Sequence, residues 1–269
     1  MNRLKVALAA LALGGAVAAA PASAITITNN DLAGATWNGI DWDSAGTSFT
    51  QGFIPAAGNN FSLSYFAWAT ALKNGFTTLN TPGLDNNANG SADPGKTYEY
   101  TVYAQLNETV TSCTGTTCSF AITGGTFAVY YDTSPDANSS SGSLGTGFTD
   151  GVVAFSGIIP AQSGGSFDTA GAINAFTIQT LINFTNPAYI QPNLDQGTTS
   201  GTLQLGVSNT GWQNPGGFGG TTWAGLGSTV QLQADGNTIV TPARVPEPGT
   251  ILLLGMGLVG LALQRRKSS

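Results

Sequence analysis

The clearest regularity in the chain is an alternation of apolar and polar residues over Thr97–Leu106. Every second position is apolar, namely Tyr98, Tyr100, Val102, Ala104 and Leu106. Successive side chains of a β-strand point to opposite faces of a sheet, so this pattern predicts a strand with one buried face. Glu99 occupies a polar position of the alternation, and we expect it to face solvent.

Shorter runs of the same kind are separated by Gly, Asn, Asp, Ser and Pro: Phe61–Trp68, Val152–Ile159, Ala175–Phe184, Thr202–Val207 and Thr229–Ala234. Phe120–Val129 predicts a hairpin with Gly124-Gly125 as its two-residue turn. Ile173–Phe184 is the best helical candidate, but its β-branched and aromatic residues favour a strand. About nine or ten strands are expected, and the predicted fold class is all-β, a single antiparallel β-sandwich or jelly-roll-like domain.

The first 24 residues have the features of an export signal. Arg3 and Lys5 precede an apolar run over Val6–Ala20, and Ala22 and Ala24 form an Ala-x-Ala site. This arrangement predicts a signal peptide that signal peptidase cuts after Ala24. The apolar run is shorter than the roughly 20 residues that a membrane span needs, which argues against a permanent anchor.

The other end of the chain has a three-part pattern. Pro246, Glu247 and Pro248 precede a short apolar stretch over Thr250–Leu263, and a basic cluster follows: Arg265, Arg266 and Lys267. The basic cluster is expected to stay on the cytoplasmic side of the inner membrane, with the apolar stretch as a transient transmembrane helix.

This tail resembles the PEP-CTERM sorting signal of Gram-negative bacteria, which is also catalogued as an ice-binding protein C-terminal domain. The resemblance implies recognition by exosortase, a membrane transpeptidase-like enzyme that cuts near the Pro-Glu-Pro, in bacteria that make exopolysaccharide. Ice binding itself needs a regular array of Thr-x-Thr rungs, and Ile25-Thr26-Ile27-Thr28 offers a single pair. The predicted organisation is a signal peptide (1–24), an extracellular β-sandwich domain (25–244) and a PEP-CTERM sorting signal (245–269).

Charge and composition narrow the function of the exported part. The chain contains no histidine, which excludes Ser-His-Asp and Cys-His nucleophiles and histidine metal ligands. Between the two end signals only Lys73, Lys96 and Arg244 are basic against 13 acidic residues, a net charge near −10. Nucleic acid is therefore not an expected partner, because its phosphates require basic surface.

Cys113 and Cys118 are the two cysteines of the chain. An even cysteine number in an exported protein predicts a disulfide, here one that closes a short loop between two strands. The four-residue spacing is not that of a thioredoxin-like redox motif, and metal binding would need two further soft ligands.

One segment fits the first half of a calcium loop. In Asp85–Asp93 the oxygen-bearing residues Asp85, Asn87, Asn89 and Asp93 follow the D-x-[DN]-x-[DN]-G spacing, with Gly90 at the sharp turn. The pattern resembles the loops of dockerins, but Asn89 stands in place of a carboxylate and Lys96 in place of the twelfth-position glutamate. Calcium is therefore a candidate cofactor with weak affinity, and a plain Asn/Asp-rich surface loop is the alternative. A second acidic loop, Asp132–Asn138, is a weaker candidate.

Five tryptophans bear on carbohydrate binding. Trp212 and Trp223 flank a Gly-rich loop and are candidates for stacking on glycan rings. Trp37 and Trp42 frame another short loop. For all four the alternative is burial as core anchors beneath the loops. A glycosidase needs two facing carboxylates, and a serine hydrolase needs a G-x-S-x-G elbow with a histidine base. The body offers no such set, so we expect no enzymatic activity.

These observations predict a protein that is exported through the inner membrane and released by exosortase to the cell surface or the extracellular matrix. The expected role is structural or adhesive in exopolysaccharide biofilm or floc. The stretch 132–151 is similar to flocculation-associated surface proteins that carry this tail. The alternative is a carbohydrate- or calcium-binding module with a discrete site, and the third reading is an extracellular hydrolase.

Overall fold

The computed structural model describes residues 25–27, 36–139, 146–168, 174–205 and 229–243, and all regular elements within them are strands. In chain order they are β1 (Ile25–Ile27), β2 (Thr36–Trp37), β3 (Gly39–Trp42), β4 (Thr47–Gln51), β5 (Asn60–Asn74), β6 (Thr77–Thr78), β7 (Glu99–Thr114), β8 (Thr117–Asp132), β9 (Val152–Ile159), β10 (Gln162–Asp168), β11 (Asn174–Thr185), β12 (Ile190–Gln191), β13 (Thr198–Leu205) and β14 (Thr229–Thr241). The expectation of an all-β chain is confirmed, and the Ile173–Phe184 region is a strand. Ala24–Ala243 forms one compact unit.

The main sheet closes on itself into an antiparallel barrel of eight positions, which replaces the expected sandwich or jelly roll. The eight positions are occupied, in order, by β8, β7, β5, β3 together with β4, β14, β13, β11 and β9. Here β3 and β4 share one position because both pair with β5 and β14, and β9 closes the barrel by pairing with β8. Closure is possible because the 16-residue β8 pairs with β10 along its first half and with β9 along its second half. A closed sheet leaves no unpaired edge, whereas a sandwich leaves two in each sheet.

The barrel interior is filled by the alternate residues that the sequence pattern selects. On β7 the predicted apolar positions, from Tyr100 to Leu106, are buried. Tyrosines close one end of the core, where Tyr98, Tyr100 and Tyr131 pack with ring centroids 5.1 to 6.0 Å apart. Phenylalanines fill the other end, where Phe61 and Phe120 meet at 6.2 Å.

Gly124 and Gly125 lie inside β8, so the predicted hairpin turn at these residues is wrong. They sit where the pairing of β7 and β8 shifts register between Asn107 and Glu108, as at a β-bulge. A side chain on Gly125 would overlap the carbonyl oxygen of Gln105, so glycine serves here for close backbone approach.

The actual turn between β7 and β8 is at Gly115-Thr116, where Gly115 has a φ of 60°. The disulfide between Cys113 and Cys118 joins the two strands directly before and after this turn. The cross-link predicted from the two cysteines is therefore present, and it covalently joins β7 and β8 at the tip of their hairpin.

Candidate functional site

The two acidic loops that the sequence suggests separately lie side by side. Asn89 and Asn138 form an antiparallel bridge between them. The backbone N–H of Gly90 donates to the carbonyl of Ala137 at 2.8 Å, and that of Ser139 donates to the carbonyl of Ala88 at 3.1 Å. The carboxyl groups of both loops and of the strands beneath them thus share one surface, which we call the acidic face: Asp85, Asp93, Glu99, Asp132, Asp136 and Asp150.

A small apolar layer on the outside of the barrel fixes these loops. It is a cluster separate from the barrel interior and consists of Phe49, Phe66, Trp68, Ala88, Ala137 and Phe148. The indole N–H of Trp68 donates to the carbonyl of Asn86 at 3.0 Å, and the hydroxyl of Thr101 donates to the carbonyl of Phe148 at 2.8 Å. Each loop therefore inserts one alanine into apolar packing and holds its polar residues outward.

The four predicted calcium ligands of the first loop are brought together. Asp93 accepts hydrogen bonds from the side-chain amides of Asn87 at 2.6 Å and Asn89 at 3.3 Å. Asp85 is buried and accepts the backbone N–H of Asp93 at 3.2 Å. Gly90 has a φ of 89°, as the predicted sharp turn requires. The amide oxygens of Asn87 and Asn89 accept the backbone N–H groups of Asn89 and Ser91, at 3.2 and 3.0 Å, so the loop closes on its own hydrogen bonds. A cation bound by these four residues would have to replace the amide contacts to Asp93.

A second group of carboxyl oxygens lies in the other candidate loop, Asp132–Asn138, and includes Glu99, which the sequence reasoning missed. One oxygen each of Glu99, Asp132 and Asp136 lies within 4.8 Å of the others. Glu99 and Asp132 are cross-strand partners of β7 and β8, a register that follows once the turn is placed at Gly115. The incorrect turn at Gly124-Gly125 hid this pairing.

Glu99 is only 1% exposed, so the expectation that it faces solvent is wrong. It does lie on the outward side of β7, but the loop after β8 covers it. Its Oε1 accepts the backbone N–H groups of Asp136 and Ala137, both at 3.2 Å. Burial raises the pKa of Glu99 to about 8, and these two hydrogen bonds oppose the rise.

Asp136 belongs to the same electrostatic group. Partial burial raises its pKa, and the nearby carboxylates of Asp150 and Asp132 add to the rise. In the described segments that form the acidic face, Lys96 is the one basic residue, and its Nζ donates to the carbonyl of Pro82 at 3.2 Å. Glu99, with its raised pKa, holds a proton at neutral pH and adds no charge. The negative charge of the aspartates on this face is left largely uncompensated by basic residues, a setting that favours divalent cations.

The tryptophans that the structure describes are core residues. Trp37 and Trp42 are 2% and 3% exposed, and Trp68 is 6% exposed beneath the acidic face. Burial as core anchors, the alternative reading for Trp37 and Trp42, is therefore the observed one. The other candidate residues lie outside the described part of the chain: Trp212, Trp223, Ala22, Ala24, Pro246, Glu247, Pro248, Arg265 and Arg266. Among the described residues, no helix combines the length and apolarity needed to cross a membrane.

Comparison with known proteins defines how the chain is sorted. Residues 244–267 match the family described as the PEP-CTERM protein-sorting motif. The chain therefore carries a PEP-CTERM sorting motif at its C-terminal end, and this motif implies export, processing by exosortase and membrane-associated sorting toward the cell surface. No curated protein and no solved structure matches the chain.

Proposed function

We propose that the protein is a structural or adhesive, non-enzymatic component of exopolysaccharide biofilm or floc. The sorting motif supports this role because it delivers the chain to the outside of the cell. The acidic character of the barrel also supports it: within the described residues only Lys73 and Lys96 are basic. Burial of the three described tryptophans leaves no stacking platform among them, which favours a matrix protein over a carbohydrate-binding module.

The observation that carries the proposal is the pairing of the two acidic loops into one face. Bacterial exopolysaccharides that bear carboxylate groups would repel this face unless a divalent cation lies between them. Calcium is a hard cation that prefers oxygen ligands, and it can be shared between protein and polymer carboxylates. Adhesion through a calcium bridge therefore reconciles a strongly acidic protein with an acidic matrix.

A calcium-binding module is the second candidate, and the Asp85–Asp93 loop favours it. In that case calcium binds the protein without any polymer, and the adhesive role is lost. The two functions share the same residues and differ in whether the polysaccharide is required.

The test is co-sedimentation of the exported protein with exopolysaccharide from the producing cells, in calcium or in the chelator EGTA. We expect saturable binding in calcium, loss of binding in EGTA and at least about tenfold weaker binding for Asp93→Asn. Asp195→Asn is the matched control because it removes one carboxylate from outside the acidic face.

Three results distinguish the calcium-bridged adhesive role from the calcium-binding module. Binding that persists in EGTA would rule out the calcium bridge and direct attention to the tryptophan loops. Calcium uptake measured by calorimetry without any polysaccharide binding would favour the module. Absence of both, or equal loss of binding in the Asp195→Asn control, would contradict a specific role for the acidic face.

A further inference from the structure

A cavity of about 60 Å³ lies within the barrel and is partly open to solvent. All eight positions of the barrel wall contribute residues to its lining, so it belongs to the barrel interior, and the exposed Thr202 and Asn237 lie where it opens to solvent. Most of the lining is apolar, including Val102, Leu106, Phe127, Val129, Ile159 and Leu203. Such a volume accommodates roughly four or five non-hydrogen atoms.

Apart from Thr202 and Asn237 at its exposed rim, the cavity is lined by three sets of polar side chains, and in two of these sets the side chains hydrogen-bond each other. The hydroxyls of Thr180 and Thr199 hydrogen-bond each other at 2.6 Å. The indole N–H of Trp42 donates to the hydroxyl of Thr238 at 2.8 Å. Each of these side chains therefore has at least one hydrogen-bond partner.

The third group is the hydroxyl of Tyr65, which has no hydrogen-bond partner within the described structure. Tyr65 is only 6% exposed, and its hydroxyl lies over Gly236, where an added Cβ would stand 2.6 Å from the oxygen. Glycine at this position therefore provides the space for the hydroxyl. An unpaired hydroxyl is unfavourable in an apolar interior, so this donor is available to an occupant of the cavity.

Charge limits the occupant further. Burial raises the pKa of Tyr65 far above its ordinary value, and the carboxylates of Asp235 and Asp43 add to the rise. The phenol thus stays protonated and acts as a donor. No basic residue lines the cavity, so an anion would find no compensating charge there.

We propose that the cavity binds a small neutral molecule, or the neutral end of a larger one, that is mainly apolar and bears one acceptor oxygen such as a ketone. The hydroxyl of Tyr65 donates to that oxygen, and the aliphatic lining surrounds the remainder. This site is independent of the acidic face and of the proposed adhesive role.

The test uses the full-length protein with 2-butanone as the probe and the methyl resonances of Val102, Ile159 and Leu203 as reporters. We expect saturable shifts at these methyls and none at the exposed Ile239. Tyr65→Phe keeps the ring and removes the donor, so it should weaken 2-butanone binding by about three- to tenfold. Xenon, which needs no hydrogen bond, should bind the wild type and Tyr65→Phe equally.

The two probes keep the result interpretable. Loss of xenon and 2-butanone together in Tyr65→Phe would mean that the cavity has collapsed in the variant. The wild type alone then tests the donor, because 2-methyl-1-butene has the shape of 2-butanone but no acceptor oxygen, and equal affinity for the two probes would overturn the proposal. Equal 2-butanone affinity in the wild type and Tyr65→Phe would overturn the assignment of Tyr65. Shifts that never saturate, or a long-lived water on the Tyr65 hydroxyl that 2-butanone does not displace, would overturn the site.

Discussion

Glu108→Gln should alter how the stability of the barrel depends on pH. Glu108 lies on the inward side of β7, in register with Phe61 on β5 and Ile122 on β8. It is 1% exposed, and within the described structure neither of its carboxyl oxygens has a hydrogen-bond partner. Burial alone raises its pKa from 4.5 to about 8.

The size and sign of the effect follow from proton linkage. Between about pH 4.5 and pH 8 the folded protein holds a proton on Glu108 that the unfolded chain has released, so the free energy of unfolding falls as pH rises. At about 1.36 kcal/mol per pH unit, this carboxyl removes up to about 5 kcal/mol across the interval. Glutamine has nearly the same shape and does not titrate, so the variant should lack this loss.

The assay is urea unfolding followed by tryptophan fluorescence at pH values from 4.5 to 9. We expect the wild type and Glu108→Gln to differ by about 1 kcal/mol or less at the acidic end, since both then bury a neutral polar group. At pH 9 the variant should be the more stable by several kcal/mol. Asp195→Asn, which removes a carboxyl elsewhere, is the control and should not reproduce the gain in stability expected for Glu108→Gln at pH 9.

A second variant separates charge from polarity. Glu108→Met replaces the carboxyl with an apolar group of similar length and should be more stable than the wild type at every pH. A constant difference between the wild type and Glu108→Gln at all pH values would refute the reasoning, because it would show that the folded protein does not retain the proton of Glu108.

Three further predictions concern the framework of the barrel. Replacing both Cys113 and Cys118 by serine should lower the free energy of unfolding by roughly 2 kcal/mol, measured against the wild type under oxidising conditions; an unchanged value would mean that the tip of the hairpin adds nothing to stability. Gly125→Ala should cost about 1–3 kcal/mol in urea unfolding because its Cβ overlaps backbone, and a neutral substitution would contradict the close packing of β7 and β8. Thr180→Val should destabilise by about 1–2 kcal/mol and the double change with Thr199→Val by less than the sum, whereas additive costs would show that the two hydroxyls are not coupled.

The part of the fold that could be predicted from sequence is the part that depends on neighbouring residues. The alternation from Tyr98 to Leu106 correctly gave the buried face of β7. The prediction ended at Leu106 because Glu108, a carboxyl residue, breaks the apolar pattern while still pointing inward. Nothing in a local pattern indicates that a charged side chain will be buried without a partner.

Closure of the barrel could not be predicted in the same way, because it depends on which distant strands pair. The pairing of β8 with β9 joins Val129 to Phe155, and neither run of residues differs from one that would form a sandwich. The double glycine in β8 was also ambiguous, since glycine serves tight turns and close backbone contacts alike.

In the candidate site, too, the features set by neighbouring residues could be predicted and those set by distant contacts could not. The spacing within Asp85–Asp93 was enough to suggest that its polar side chains cluster, and the amides of Asn87 and Asn89 do hydrogen-bond Asp93, whereas calcium binding there stays a prediction. The position of Glu99 on the outward side of its strand was also correct. That the segment around Asp136 folds back over Glu99 depends on contacts between residues almost 40 positions apart, and no periodicity records such contacts.

The apolar layer beneath the acidic face has a consequence for the order of events during export. Because Ala88, Ala137 and Phe148 fix the two loops by packing, the entropy of ordering them is lost during folding, before any cation is present. The arrangement of the two loops is thus fixed by side chains that a chelator cannot remove. Under the proposed calcium bridge, the chain would fold without the ion and acquire its adhesive contact later, in an environment rich in calcium.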